Sequence, residues 1–178
     1  MRESRSVHEI SSHMVETKRQ NQLISALFDN QISMWKYILR IGLISLVPSL
    51  VIAMILGLSG IVTEETGPEF EGPAIVLFVC LVIVSPPLET LLMAGVLWLL
   101  SFITKRQVVL ALISAFVWAG MHSLVAPAWG LVVIWPFFVF SCSFLNWRRR
   151  SLWRAILVTS CVHVFQNILP SIAVIAIL

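Results

Sequence analysis

Long runs of apolar residues, separated by short polar segments, make up most of the chain from residue 38 onward. Five of these runs are close to, or longer than, the roughly 20 helical residues that are needed to cross a bilayer. The pattern therefore predicts five membrane-spanning helices, at residues 38–58, 74–103, 108–126, 130–145 and 152–178. The expected fold is an all-α, polytopic membrane helix bundle.

The charged residues indicate how this bundle is oriented. All 12 Lys and Arg residues precede the first predicted helix, follow the second or the fourth, or lie at the adjoining helix ends. They therefore share one side of a five-helix arrangement, and the loop with Glu64, Glu65, Glu69 and Glu71 falls on the other. By the positive-inside rule, the N-terminus is cytoplasmic and the C-terminus outside, in the cytoplasmic membrane.

Composition excludes a soluble domain. Hydrophobic residues make up 58% of the chain and charged residues 12%, whereas a soluble domain is about a quarter charged. The formal net charge of +3 does not indicate nucleic-acid binding, because the basic residues form short clusters beside apolar runs. Cys80, Cys142 and Cys161 all fall within apolar runs, with neither a disulfide framework nor a zinc spacing, and are interpreted as packing residues.

Residues 1–37 form a polar N-terminal segment that is too long for a signal peptide, so the first predicted helix is expected to remain as an anchor. Within this tail, residues 20–35 carry apolar side chains at helical spacing. They predict an amphipathic helix lying on the membrane, with a partly ordered tail as the alternative. Residues 38–178 form the transmembrane bundle, and its motif-bearing core covers about 74–178.

Glu89 is the only charged residue in the interior of the apolar runs. A carboxylate near mid-membrane costs about 2.5–3.5 kcal/mol on insertion scales, so it is a functional-site candidate. The preceding Ser85-Pro86-Pro87 resembles a helix start, with Ser as cap and Pro in the first turn. The helix dipole there favours the anion, whereas apolar surroundings favour the neutral acid. The alternatives are a neutral Glu bonded between helices, or an ion-pathway residue.

Three further polar residues lie at comparable depth. His122 follows Trp118 by four residues, and His163 precedes Asn167 by four, so each pair shares a helical face. Pro170 removes the hydrogen bond to the carbonyl of Gln166, which predicts a kink beside Asn167. Polar residues at such depth also serve as links between helices, which is the structural alternative.

These residues favour water activation over other hydrolytic chemistries. The chain has no candidate Ser nucleophile in a Gly-x-Ser-x-Gly turn, no pair of carboxylates for an aspartyl mechanism and no His-Glu-x-x-His motif. Zinc ligation by one Glu and two His from three helices lacks a local ligand pair, so we expect no metal and no cofactor. Glu89, helped by His122, would take a proton from water, and His163 with Asn167 would stabilise the oxyanion of a tetrahedral intermediate.

The same elements resemble those of the CPBP (Abi) family of intramembrane glutamic endopeptidases, which is related to the type II CAAX prenyl endopeptidases. That family shows Glu-Glu-x-x-x-Arg, then Phe-x-x-x-His, then His-x-x-x-Asn on successive helices. Here Glu89-Thr90 stands at the first motif, Trp118-Ala-Gly-Met-His122 at the second and His163-Val-Phe-Gln-Asn167 at the third. The resemblance covers about residues 74–170.

The resemblance implies that Glu89 activates water with His122, while His163 and Asn167 form the oxyanion hole. It departs from the family at two positions, because Thr90 replaces the second Glu and Ala94 stands where Arg is expected. A Glu–Arg orienting pair therefore cannot form. The Thr90 hydroxyl is one candidate to orient Glu89 in its place.

The leading hypothesis is an intramembrane peptidase whose partners are a peptide or protein substrate in the membrane and the lipid bilayer, with no nucleic acid. A catalytically inactive immunity or scaffold protein of the same fold is the second hypothesis, motivated by Thr90 and Ala94. The third is a small ion-coupled transporter, since a lone mid-membrane carboxylate is common in such proteins. Oligomeric state and prenylation of the substrate stay open.

Overall fold

The computed structural model describes residues 22–29, 31–63 and 65–176, and every regular element within them is helical. The five long helices are α1 (Met34–Leu58), α2 (Ala74–Leu100), α3 (Gln107–Ser123), α4 (Trp129–Arg148) and α5 (Leu152–Ala176). They confirm an all-α helix bundle, and each begins and ends within a few residues of a predicted segment. Residues 1–21 of the predicted tail, with its four basic residues, lie outside the described residues, as do Glu64 of the acidic loop and the last two residues of the fifth predicted helix.

Within the described residues, four helices, α1, α2, α4 and α5, are long and apolar enough to cross a membrane. The fifth, α3, is also apolar but has 17 residues. Large apolar side chains such as Leu39, Leu43 and Met54 of α1 are more than half exposed on the bundle surface. Apolar surface on this scale is typical of helices that face lipid.

The central element of the bundle is α4, which packs against all four other helices. Most of its residues are buried, from Pro136 to Trp147 almost without interruption. Its start lies very close to α3, because a Cβ added at Gly130 would overlap the Ala119 carbonyl oxygen and the Ser123 hydroxyl. Glycine at residue 130 therefore permits the close approach of α3 and α4.

The helix type changes within α2, just before Glu89. Residues Val79–Val84 are π-helical, and the α-helix continues from Ser85 to Leu100 with the two prolines in its first turn. The Ser85 N–H bonds to the Cys80 carbonyl, so the next donor in this register would be Pro86, which has no N–H. The Leu81 carbonyl thereby lacks a helical donor, and the Asn167 amide donates to it at 2.9 Å.

This geometry corrects one detail of the predicted helix start. The helix does change character at Ser85-Pro86-Pro87, but it runs on without a break, and Ser85 does not act as a side-chain cap.

A proline in α1 also leaves a backbone carbonyl without a helical N–H donor. Pro48 lies inside the helix and cannot donate to the carbonyl of Ile44, four residues earlier. The Trp135 indole N–H of α4 donates to this oxygen at 2.9 Å. In both cases a side chain from a neighbouring helix supplies the hydrogen bond that proline removes.

The segment before α1 is helical over a shorter stretch than predicted. Helix covers residues 22–27, and a turn and bends separate it from α1. Leu27 is almost fully buried, whereas Leu23 and Ile24 are more than a third exposed. The Tyr37 hydroxyl donates to the Leu27 carbonyl at 2.7 Å, which ties this segment to the start of α1.

Candidate functional site

The four residues singled out in the sequence, Glu89, His122, His163 and Asn167, line one cavity of about 230 Å³. All five helices contribute to its walls. The volume is many times the roughly 10–15 Å³ that a single water requires. The space therefore accommodates both water and part of a larger ligand.

Glu89 is held from two sides. The Ser85 hydroxyl, one turn earlier on α2, donates to Glu89 Oε1. The other oxygen, Oε2, lies 4.0 Å from His163 Nε2, and the Glu89 side chain is 22% exposed. Thr90 does not take the orienting role suggested by the sequence: its hydroxyl oxygen is buried and has no hydrogen-bond partner within the described part of the chain. Ser85 orients the carboxyl instead.

His163 is fixed by aromatic rings of α4. Its ring stacks on Phe140 with centroids 4.3 Å apart and an interplanar angle of 29°. Phe137 meets it edge-on at 5.7 Å. Only 6% of the His163 side chain is exposed. The imidazole is therefore enclosed mainly by aromatic rings, with its Nε2 4.0 Å from Glu89 Oε2.

His122 has a defined hydrogen-bonding pattern. Its Nδ1 lies 2.8 Å from the Trp118 carbonyl oxygen, and a carbonyl only accepts hydrogen bonds, so Nδ1 carries the hydrogen. In a neutral ring, Nε2 is then the acceptor. The ring meets Trp129 edge-on at 4.7 Å and lies 5.1 Å from Phe137. Phe137 therefore contacts both histidines.

The Asn167 side-chain amide makes a hydrogen bond within the bundle and also borders the cavity. One Nδ2 hydrogen serves the Leu81 carbonyl, and a primary amide has a second N–H. Asn167 also lines the cavity, so its second N–H is a candidate donor to a group bound there. Fixing the first N–H restricts rotation of the amide.

Sequence reasoning missed the neighbouring Gln166, which lies within the third motif. Gln166 is buried and bridges α5 to α1. Its Oε1 accepts from the Ser45 hydroxyl at 2.7 Å, and its Nε2 donates to the Ser49 hydroxyl at 2.7 Å. The signal available in the sequence was the spacing of four between Ser45 and Ser49, which places two hydroxyls on one face of α1.

Phe137, Phe140 and Trp129 were also missed, and the sequence carries no signal for them, because aromatic residues are common throughout the apolar runs. Ser85 was noticed only as a helix cap. Its spacing of four from Glu89 was the indication that the two side chains meet.

Among the described residues, no group of three or more His, Cys, Asp and Glu is arranged to hold a metal ion. The chain matches no protein-family model, and neither the curated proteins nor the solved structures include a match to it.

Proposed function

We propose that this chain is an intramembrane peptidase that hydrolyses a peptide bond of a membrane-associated or lipidated peptide by means of activated water. The observation that carries the proposal is the shared cavity: a carboxyl, two imidazoles and an amide from three separate helices line one space within an apolar bundle. The resemblance to the CPBP intramembrane glutamic endopeptidases supports the same conclusion from the order and spacing of three motifs.

In this mechanism, water binds between Glu89 and His122. Glu89 accepts a proton as the water oxygen attacks the peptide carbonyl, and His122 offers Nε2 as a second acceptor because Nδ1 is committed to Trp118. Ser85 keeps Glu89 Oε1 in place, so the proton is taken at Oε2. The proton then passes to the leaving amine, as in other general acid–base hydrolyses.

The oxyanion that develops on the peptide carbonyl needs donors already in position. His163 and the second N–H of Asn167 fill this role. The aromatic contacts of His163 and the Leu81 bond of Asn167 hold both groups without help from the substrate. Donors fixed in this way do not have to reorganise as charge develops.

We further propose that all five helices span the cytoplasmic membrane, with the N-terminus inside. The 17 residues of α3 extend about 25 Å at 1.5 Å per residue, close to the roughly 30 Å hydrocarbon thickness. The basic loops around Lys105 and Arg149 lie at one end of this arrangement and the acidic loop before α2 at the other, in accordance with the positive-inside rule.

The test is cleavage by the purified protein in liposomes. Membrane-anchored peptides are presented in water enriched in oxygen-18, and mass spectrometry detects the label in the new carboxyl terminus. Glu89→Gln and His122→Ala should each abolish labelled product. Glu69→Gln, in the exposed acidic loop, removes a comparable charge away from the cavity and should leave cleavage unchanged.

Normal processing by both cavity variants would overturn the proposal. A second experiment covers the physiological substrate. In cells from which the gene for this protein has been deleted, wild type or Glu89→Gln is reintroduced, and the peptide termini that appear in the membranes are compared. Peptides that appear with both forms would exclude Glu89 as the catalytic group.

A catalytically inactive scaffold or immunity protein is the second candidate function, and one observation favours it. The Thr90 hydroxyl is buried without a hydrogen-bond partner among the described residues, and Ala94 packs against the apolar core. The positions that hold Glu and Arg in the resembled family thus contribute no polar contact here. Full cellular function after replacement of Glu89, His122, His163 and Asn167 together would support this candidate.

A further inference from the structure

A second pocket, of about 290 Å³, lies where α2 gives way to α3 and α4 ends. We call it the basic pocket, and it is lined by Lys105, Gln107, Leu110, Leu145, Arg148 and Arg149. Three of these side chains are cationic, and none is acidic. The basic pocket is separate from the proposed catalytic cavity, with which it shares no lining residue.

The cations of the basic pocket have no counter-charge within their part of the chain. From residue 72 to the end, Glu89 is the sole acidic residue, and it is engaged in the other cavity. Among the residues that the structure describes, Arg40 pairs with Asp29, and the Glu89 carboxyl lies 4.0 Å from His163 Nε2. Lys105, Arg148 and Arg149 thus converge on one concave surface, and no carboxylate of the described residues pairs with them.

The basic pocket also has a built geometry. Arg149 Nη2 donates to Gln107 Oε1 at 2.6 Å, which holds the guanidinium beside the start of α3. Leu110 and Leu145 are buried at 4% and 6% exposure and form an apolar floor. An anchored guanidinium with further cations suits a phosphate group, to which Arg donates in a planar, bidentate manner.

We propose that the basic pocket binds the phosphate of an anionic phospholipid headgroup. A phosphate group supplies negative charge to the three cations, and Leu110 and Leu145 offer an apolar contact to the first methylenes of an acyl chain. The pocket lies at the ends of α2 and α4, which are long enough to cross a membrane, and at the start of α3. In the membrane orientation proposed above, this end of the bundle meets the headgroup region. Basic pockets between such helices on the cytoplasmic side are suited to anionic lipids. The apolar floor favours a lipid over free phosphate, which shares the same chemistry.

Native mass spectrometry of the full chain tests this proposal. The protein is purified in neutral detergent and titrated with phosphatidylglycerol, with phosphatidylcholine or with inorganic phosphate. Wild type should retain phosphatidylglycerol in preference to phosphatidylcholine. Arg148→Gln/Arg149→Gln should weaken that retention by roughly tenfold or more, since each basic residue near an anionic surface contributes substantially to attraction.

The matched control is Arg150→Gln/Arg154→Gln, which removes two charges from the same bundle end without altering a pocket-lining residue. Retention close to wild type in this control supports a defined pocket, whereas equal losses in both pairs would overturn it. If the double variant fails to fold, Lys105→Gln replaces it, because Lys105 lies in an exposed loop outside the helices. Lys105→Gln should weaken lipid retention severalfold. Unchanged retention in Lys105→Gln, or full displacement of the lipid by inorganic phosphate, would contradict the lipid site.

Discussion

The Ser85 hydroxyl donates a hydrogen bond to Oε1 of Glu89, so a serine and a glutamate one turn apart on α2 form a unit. This bond directs the second carboxyl oxygen toward His163 Nε2, 4.0 Å away. The pair occurs where the π-helical segment ends and the α-helix resumes. π-Helical turns inside α-helices are frequent at functional sites, and here the turn adjoins the candidate general base.

Ser85→Ala should lower kcat/KM for peptide cleavage by roughly tenfold or more, because a hydrogen bond to a carboxylate contributes about 1.5–3 kcal/mol. Ser85→Thr restores the hydroxyl and should recover most of the loss. Kinetics with a membrane-anchored peptide in liposomes measures both. Wild-type kinetics in Ser85→Ala would show that the carboxyl needs no such support.

Thr90→Val should leave cleavage intact and raise the free energy of unfolding by about 1–3 kcal/mol. The substitution keeps the side-chain shape and removes a buried hydroxyl without a hydrogen-bond partner in the described structure, which relieves a desolvation cost of about 1–3 kcal/mol. Thermal unfolding in detergent gives the stability change, and the cleavage assay gives the activity. A marked loss of activity would mean that Thr90 acts as a substitute for the second glutamate of the resembled motif.

Gln166→Leu should destabilise the bundle, since it removes two hydrogen bonds between α1 and α5. Bonds between membrane helices average about 0.6 kcal/mol, so we expect a loss of about 1–2 kcal/mol. Unfolding by a denaturing detergent measures it. In a double-mutant cycle, Ser45→Ala should cost less in the Gln166→Leu background than in wild type. Strict additivity would show that the two side chains are not coupled.

Gly130→Ala should destabilise the protein by about 1–3 kcal/mol, the range for overpacking a well-packed interior. The added methyl would overlap the Ala119 carbonyl, which is backbone and cannot rotate away. Gly120→Ala on α3 is the matched control, because its added Cβ meets nothing within 4 Å. Equal melting temperatures for the two variants would contradict the close approach of α3 and α4.

The helices could be predicted from the sequence because each apolar run is long and is bounded by charged or turn residues. The meeting of Glu89, His122, His163 and Asn167 was also predictable, since polar groups at similar depth lower one another's cost by sharing a cavity. Both predictions depend on how far a residue lies from the ends of its apolar run, because this distance indicates its depth in the membrane.

Contacts that depend on rotation or helix register were not predictable in this way. Pro86 signalled a change in α2, but it did not reveal which donor serves the Leu81 carbonyl. That donor is the Asn167 amide, 86 residues away along the chain. The role of Gln166 depends on the relative rotation of α5 and α1, because both of its hydrogen-bond partners lie on α1. The Phe140 stack on His163 requires the rotation of α4, which an evenly apolar helix does not reveal.

The two proline-freed carbonyls, at Ile44 and Leu81, also have a consequence for assembly. Each is an acceptor at a single height on its helix, and each is matched by one N–H donor, from Trp135 or from Asn167. Sliding either pair by one turn would leave a bare oxygen in hydrocarbon, where an unsatisfied backbone group costs several kcal/mol. These prolines therefore restrict the register in which the helices can assemble. The carbonyl oxygens on α1 and α2 are satisfied only when α4 and α5 pack at the observed heights.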